Sequence, residues 1–259
     1  MQLIDLSVTI EQDAVSELVP PKIEFRSHTG AGLEFFKEAF GITEEDLVWS
    51  GGTAPGDEIF TFMSHTGTHV DAPFHYGPTS ADGTPAKSID ELPLEWFHGD
   101  AVRLDLRHKQ PGEFIEIADL EQALDHIEYE LKPMDIVLLW TGTDAKLHSK
   151  EYFEQPGMGR ESTLWLVQEK GIKVIGIDAF GFDRPFRAMR EDFERTGDGR
   201  WIWPAHFAGI EAPYCQIEKL ANLGAIPRAH GFTVSCFPIK VKRASAGFAR
   251  VVAFVDDEH

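Results

Sequence analysis

Cysteine is almost absent from this chain: Cys215 and Cys236 are the only two in 259 residues. Two thiols cannot build a disulfide framework or a thiolate zinc cage, so buried free thiols are expected. Basic residues are scarce as well. Twenty-four lysines and arginines stand against 43 aspartates and glutamates, a formal charge of -19. That balance excludes the basic patches through which nucleic acids and anionic membranes are bound. No apolar run reaches the roughly 20 residues of a membrane span, and no G-x-S-x-G turn marks a serine nucleophile. The first residues lack the basic region and cleavage site of a secretory leader, so a cytoplasmic location is expected. Linkers, repeats and low-complexity runs are missing too. With 42% apolar residues, the chain can fill one large core, and a single domain over residues 1–259 is the expectation.

Histidine, by contrast, is concentrated. The stretch from His65 to His75 reads H-T-G-T-H-V-D-A-P-F-H, holding three of the 11 histidines and Asp71, with no other charge. Neutral imidazole and carboxylate are the usual ligands of Zn²⁺, or of Mn²⁺ where carboxylate predominates. His65 and His69 would share a face if the stretch were helical, whereas His69, Asp71 and His75 need an extended path. Gly67 allows a tight turn and Pro73 stops a helix. A solvated loop gains nothing from this set of side chains, so a metal site is predicted. Three ligands beside a reactive-type histidine suit an open, catalytic centre. The competing reading is a closed site in which the ion only holds the fold together.

Strand-like runs stand at Leu3–Val8, Ile59–Met63, Ala101–Leu106, Ile136–Trp140, Ile172–Ile177, Phe232–Val241 and Phe248–Val255. Several are short apolar blocks, as expected of strands covered on both faces. Leu120, Ala123, Leu124, Ile127 and Leu131 repeat at helical spacing, which predicts a helix over 119–131 with Asp119 and Gln122 as a capping box. A second helix is expected over 162–170, stopped by Gly171. Helix followed by buried strand occurs twice, so the class is α/β. Residues 26–57 and 180–205 do not resolve into regular elements, and loops of that length are usually binding elements or lids.

Ligands from one loop rarely close a site. Downstream, His206, Glu211 and Glu218 are the candidate partners, and spacing alone does not separate the two glutamates. Asp178, at the end of a strand, either supports a metal-binding histidine or caps the following turn. Between 180 and 203, Phe180, Phe182, Phe186, Phe193, Trp201 and Trp203 alternate with Arg184, Arg187, Arg190, Arg195 and Arg200. That mixture fits a pocket wall against a planar, acidic substrate, and equally a dimer contact.

The His65–His75 stretch resembles the H-x-G-T-H-x-D-x-P-x-H motif of the metal-dependent cyclase family, which includes bacterial kynurenine formamidases and isatin hydrolases. Ile4-Asp5-Leu6-Ser7 is similar to the family's opening D-L-S strand, and Ile217 to Leu223 resembles its E-N-L-x-N-L segment. Ala244 to Val252 resembles a closing G-x-P-x-R-x-x-A pattern, with Arg250 at the arginine. The resemblance implies a swivelling β/β/α fold, a homodimer or higher homo-oligomer, a small-molecule substrate, and one or two divalent metals, Zn or Mn, per subunit. It also implies His65, His69 and Asp71 as ligands of one metal and Asp71, His206 and Glu218 as ligands of a second. His75 falls on the family's acid/base histidine. The implied reaction is hydrolysis of a small cyclic amide, imide or lactone, with an aryl formamide such as N-formylkynurenine as the alternative. Two departures separate this chain from the formamidases. Leu18-Val19-Pro20-Pro21 stands where they carry Trp-Pro-Gly, and the chain is longer, closer in size to the isatin hydrolases.

Overall fold

The computed structural model describes residues 1–256. In chain order the strands are β1 Gln2–Asp5, β2 Lys22–Arg26, β3 Asp57–Thr61, β4 His69–Asp71, β5 His98–Asp105, β6 Phe114–Ile115, β7 Ile136–Trp140, β8 Gly157–Met158, β9 Val174–Ile177, β10 Cys215–Glu218, β11 Phe232–Ser235, β12 Ala246–Phe248 and β13 Val252–Val255. The α-helices are α1 Ala31–Phe40, α2 Pro73–Tyr76, α3 Ile117–His126, α4 Arg160–Leu164, α5 Phe186–Thr196 and α6 Pro204–Glu211. Two compact units result: Met1–Thr9 together with the chain from Ser64, and Ile10–Met63.

The first unit is built on a nine-stranded sheet of order β1-β13-β11-β5-β7-β9-β10-β4-β12. Its middle, β5-β7-β9-β10, is parallel, and antiparallel strands flank it on both sides. The parallel middle explains the unbroken apolar runs, because both faces are covered. Along β7, Ile136 and Leu138 enter one core while Val137 and Leu139 enter the other. The sheet curls. β12 lies at one edge and β13 next to the opposite edge, yet only Ala249–Val251 separate them. Four Cα steps span at most about 15 Å, whereas the seven strand spacings from β13 to β12 would cover roughly 34 Å in a flat sheet.

The α/β class is as expected, and the differences are local. The helix foreseen over 119–131 begins at Ile117 and ends at His126. Asp119 is its third residue, and its carboxylate accepts the backbone N–H of Glu116 at 2.8 Å, so it caps from inside the first turn. Glu128 takes a left-handed φ of +53° and ends the helical path before Leu131. The helix expected over 162–170 is α4 followed by a π turn, Trp165–Glu169. The run Phe232–Val241 stays a strand only to Ser235, and the proline at 238 has no N–H to donate to a ladder. Phe248–Val255 divides at the crossing between the two sheet edges.

In the second unit, β2 pairs antiparallel with β3, Lys22 opposite Thr61 and Arg26 opposite Asp57. The strand expected at Ile59–Met63 is thus two residues earlier. α1 fills part of the 26–57 stretch in which no regular element was expected, and Gly41, with φ +66°, ends it.

Candidate metal centre

The register between β4 and β10 assembles the site. Glu218 lies opposite His69, and Gln216 opposite Asp71, so these alternate side chains share one face of the sheet. Val70 and Ile217, between them, point into the apolar core on the other side. His65 precedes β4 across a turn at Gly67, whose φ of +62° is open to glycine at little cost. The segment is therefore turn and strand, not a helix. Pro73 begins the single turn α2, which carries His75, and α6 brings His206 from the far side of the sequence.

All six predicted residues converge. Asp71, wholly buried, stands at the middle. His65 Nδ1 is 2.8 Å and His69 Nε2 3.3 Å from its Oδ1. His206 Nε2 and His75 Nε2 are 3.8 and 3.9 Å from its Oδ2. Glu218 reaches His69 Nε2 and His206 Nε2 at 3.6 Å each. His65, Asp71 and His75 form one group whose ligand atoms lie within 4.8 Å of one another, and His69, Asp71 and Glu218 form a second.

Three of the imidazoles are held from behind. His69 Nδ1 lies 2.8 Å from the Gly67 carbonyl, which fixes the proton there and leaves Nε2 as a lone pair. His206 Nδ1 lies 2.5 Å from Asp183 Oδ2. His65 is turned the other way, with Nε2 3.0 Å from Ser245 Oγ and Nδ1 facing Asp71. Outer partners of this kind set which nitrogen is offered to an ion. The inward atoms are left over: His69 Nε2 and both Asp71 oxygens are buried without a hydrogen-bond partner. Buried polar atoms are rarely left so. Lone pairs aimed at one another fit a divalent cation between them, with N and O donors of the kind that bind Zn²⁺ or Mn²⁺.

Electrostatics follow the crowding. Burial raises a carboxyl, but the charge of the neighbouring His69 and the close approach of the His65 and His69 rings hold Asp71 well below the usual range. Glu218 is raised, first by burial and then by repulsion from Asp71. Burial pushes His75 down to about 4. His206 goes the opposite way: burial would lower it, but the hydrogen bond and charge of Asp183 lift it to about 9.

Asp183 is the supporting residue that sequence reading missed. Its carboxylate also accepts the backbone N–H groups of Ala205 and His206, at 2.9 and 3.1 Å, and so caps α6. Asp178 instead accepts Thr141 N and Oγ1 and Gly142 N, each at 2.7 Å. It ties the end of β9 to the turn after β7 and supports no histidine. Glu211 lies at the surface, paired with Arg160 and Gln168, while Glu218 Oε1 accepts the Phe182 N–H at 2.9 Å inside the site. The arginines of 184–200 are engaged by carboxylates: Arg184 and Arg195 by Asp192, Arg187 by Glu154 and Glu191, Arg190 by Glu194, Arg200 by Asp198. The aromatic residues of that segment do reach the centre, through Trp203. A separate cleft of about 1000 Å³ is lined by Phe114, Ile117, Arg160 and Trp201, and none of the six candidate residues lines it. No helix among the described residues is long and apolar enough to cross a membrane.

Residues 4–184 match the family model described as "Putative cyclase". The kynurenine formamidase of Erythrobacter litoralis (strain HTCC2594) is 32% identical over 193 residues, 74% of each chain. Cyclase-like protein 2 of Arabidopsis thaliana is 33% identical over 204 residues, 78% of this chain. This chain spans 66% of that protein and 61% of cyclase-like protein 1 from the same plant. Isatin hydrolase A from Ralstonia solanacearum superposes with a TM-score of 0.77 at 22% identity, over 98% of this chain and 92% of that one. Isatin hydrolase A from Labrenzia aggregata, bound to benzyl benzoate, gives 0.75 at 22% identity, over 99% and 94%. With the motif, the register that assembles it and a family model covering more than half of its length all in agreement, this chain belongs to the cyclase family.

Proposed function

We propose that the protein is a divalent-metal-dependent hydrolase that opens a small cyclic amide, imide or lactone. The observation that carries this is the set of buried, partnerless inward atoms on His69 and Asp71, with the outward nitrogens of the surrounding histidines already fixed. His65, His69, Asp71, Glu218 and His206 are the residues that would hold one or two cations, Zn²⁺ or Mn²⁺. Such a cation acidifies a water near neutral pH and polarises an acyl oxygen. His75 is the proposed acid/base. Its ring is partly exposed, while its Nε2 faces Asp71, so it can take a proton from the attacking water and return it to the leaving nitrogen or oxygen. The partial exposure of His65 and His75, against the complete burial of His69 and Asp71, leaves the centre open on one side, as catalysis requires and a purely structural site does not.

The similarity to kynurenine formamidases supports cleavage of an aryl formamide as the second reading. The absence of Trp-Pro-Gly and the coverage of nearly the whole chain by the isatin hydrolase structures rank it below ring opening. We further infer a homodimer in the cytoplasm. The test is a panel of lactams, imides, lactones and N-formylkynurenine, run on protein loaded with Zn²⁺ or Mn²⁺ and on chelated protein. Turnover should vanish with chelation and return with metal, and the best cyclic substrate should exceed N-formylkynurenine. Full activity in protein shown to be metal-free by elemental analysis ends the reading.

A further inference from the structure

Trp203 enters α6 with φ +49° and ψ +48°. A left-handed backbone is unfavourable for a non-glycine residue, and the proline that follows independently favours extended geometry. The turn itself needs no tryptophan. What it does for the backbone, offering its carbonyl to the Phe207 N–H at 2.9 Å, glycine would do without strain.

The side chain supplies the reason. The indole lies on the His206 imidazole, ring centres 4.5 Å apart and planes 20° from parallel. It also touches the His75 ring at 5.7 Å, and Phe186 stacks near it at 6.3 Å and 28°. Asp183 grips His206 by one edge atom, Nδ1. A single hydrogen bond fixes an edge but lets the ring tilt about that contact. A flat surface against the ring face removes the tilt. With edge and face both held, His206 Nε2 stays directed at Asp71 Oδ2 and Glu218 Oε1, 3.8 and 3.6 Å away.

We infer that Trp203 is a positioning residue of the metal centre, whose indole face sets the plane of His206 and whose strained backbone is the cost of that placement. The inference rests on the metal reading above. It is tested by titrating metal-free protein with Zn²⁺ against a chromogenic chelator, with melting temperatures measured on the same metal-free samples. Trp203→Gly keeps the left-handed turn and removes the indole. Its melting temperature should hold, while Zn²⁺ affinity falls about 10-fold or more, the loss typical of outer partners of a metal ligand. Trp203→Phe, which keeps an aromatic face, should restore most of the affinity. Trp203→Asn tolerates the same backbone without an aromatic ring and should behave like the glycine variant, which covers a failure of that variant to fold. Unchanged Zn²⁺ affinity in the glycine or asparagine variant overturns the inference. So does an affinity loss that merely follows the melting temperature across the series. A wild-type protein that takes up no cation overturns the metal reading itself, and the positioning role with it.

Discussion

Which glutamate belongs to the centre is a question about single side chains, and two substitutions answer it. Glu218→Gln should weaken cation binding severely, since one carboxylate oxygen faces His69 and the other His206. Glu211→Gln should do little, because its surface pair with Arg160 contributes about 0–1 kcal/mol and lies outside the site. In the same series, His75→Ala should keep at least one equivalent of metal while turnover drops by two or more orders of magnitude, roughly the worth of acid–base catalysis. Loss of all metal would make His75 a ligand. His206 gives a second prediction, on pH. Its folded value, about 9, lies above the ordinary 6.5, so in metal-free protein the stability it contributes is complete below 6.5. That contribution is lost as pH rises through 9. The amplitude is at most about 3 kcal/mol. Urea midpoints measured with chelator present should fall over that window, and Asp183→Asn should flatten the fall. A fall of equal size in the variant would mean that another group is titrating.

At the scale of elements, the legible parts are those whose cause is local. The runs at 136–140 and 174–177 are apolar because both faces are buried, and that requirement is written in consecutive residues. The ligand stretch is legible for the same reason: four donors within eleven residues need no tertiary information to stand out. What joins them to Glu218 is a strand pairing between distant parts of the chain, and a pairing leaves no mark in either strand alone. Asp183 is hidden likewise. The three hydrogen bonds of its carboxylate are with residues 205 and 206, whereas Asp178 is the more visible in sequence because it ends a strand. α1 left a signal that went unread, Leu33, Phe36 and Phe40 at helical spacing, although of its apolar side chains only Leu33 is buried. Gly209, like Asp183, gives no such signal. A Cβ there would come within 2.2 Å of the Tyr76 ring, a constraint that only the packed structure discloses.

For the molecule as a whole, the charge of -19 and the apolar surface pull in different directions. Self-repulsion favours separate chains, yet Phe25, Phe35, Phe40, Val48, Trp49, Ile59 and Phe60, all within residues 10–63, are exposed, and aromatic side chains are enriched where chains associate. The homodimer inferred above should therefore persist at low salt in light-scattering measurements, and a monomeric mass at micromolar concentration would reject it. The two ends of the motif pattern meet at Asp5 and Arg250, a bidentate pair at 2.7–2.8 Å. The pairing of β4 with β10 has a consequence in time. During synthesis the histidines at 65, 69 and 75 leave the ribosome long before Glu218 exists, by roughly ten seconds at about 5–20 residues per second. On the proposed metal reading, the nascent segment is until then an unfinished chelator, open to whichever transition metal is most abundant and most tightly held. On that same reading, an ion taken up by the segment stays exchangeable until β10 pairs with β4 and brings Glu218 to the site.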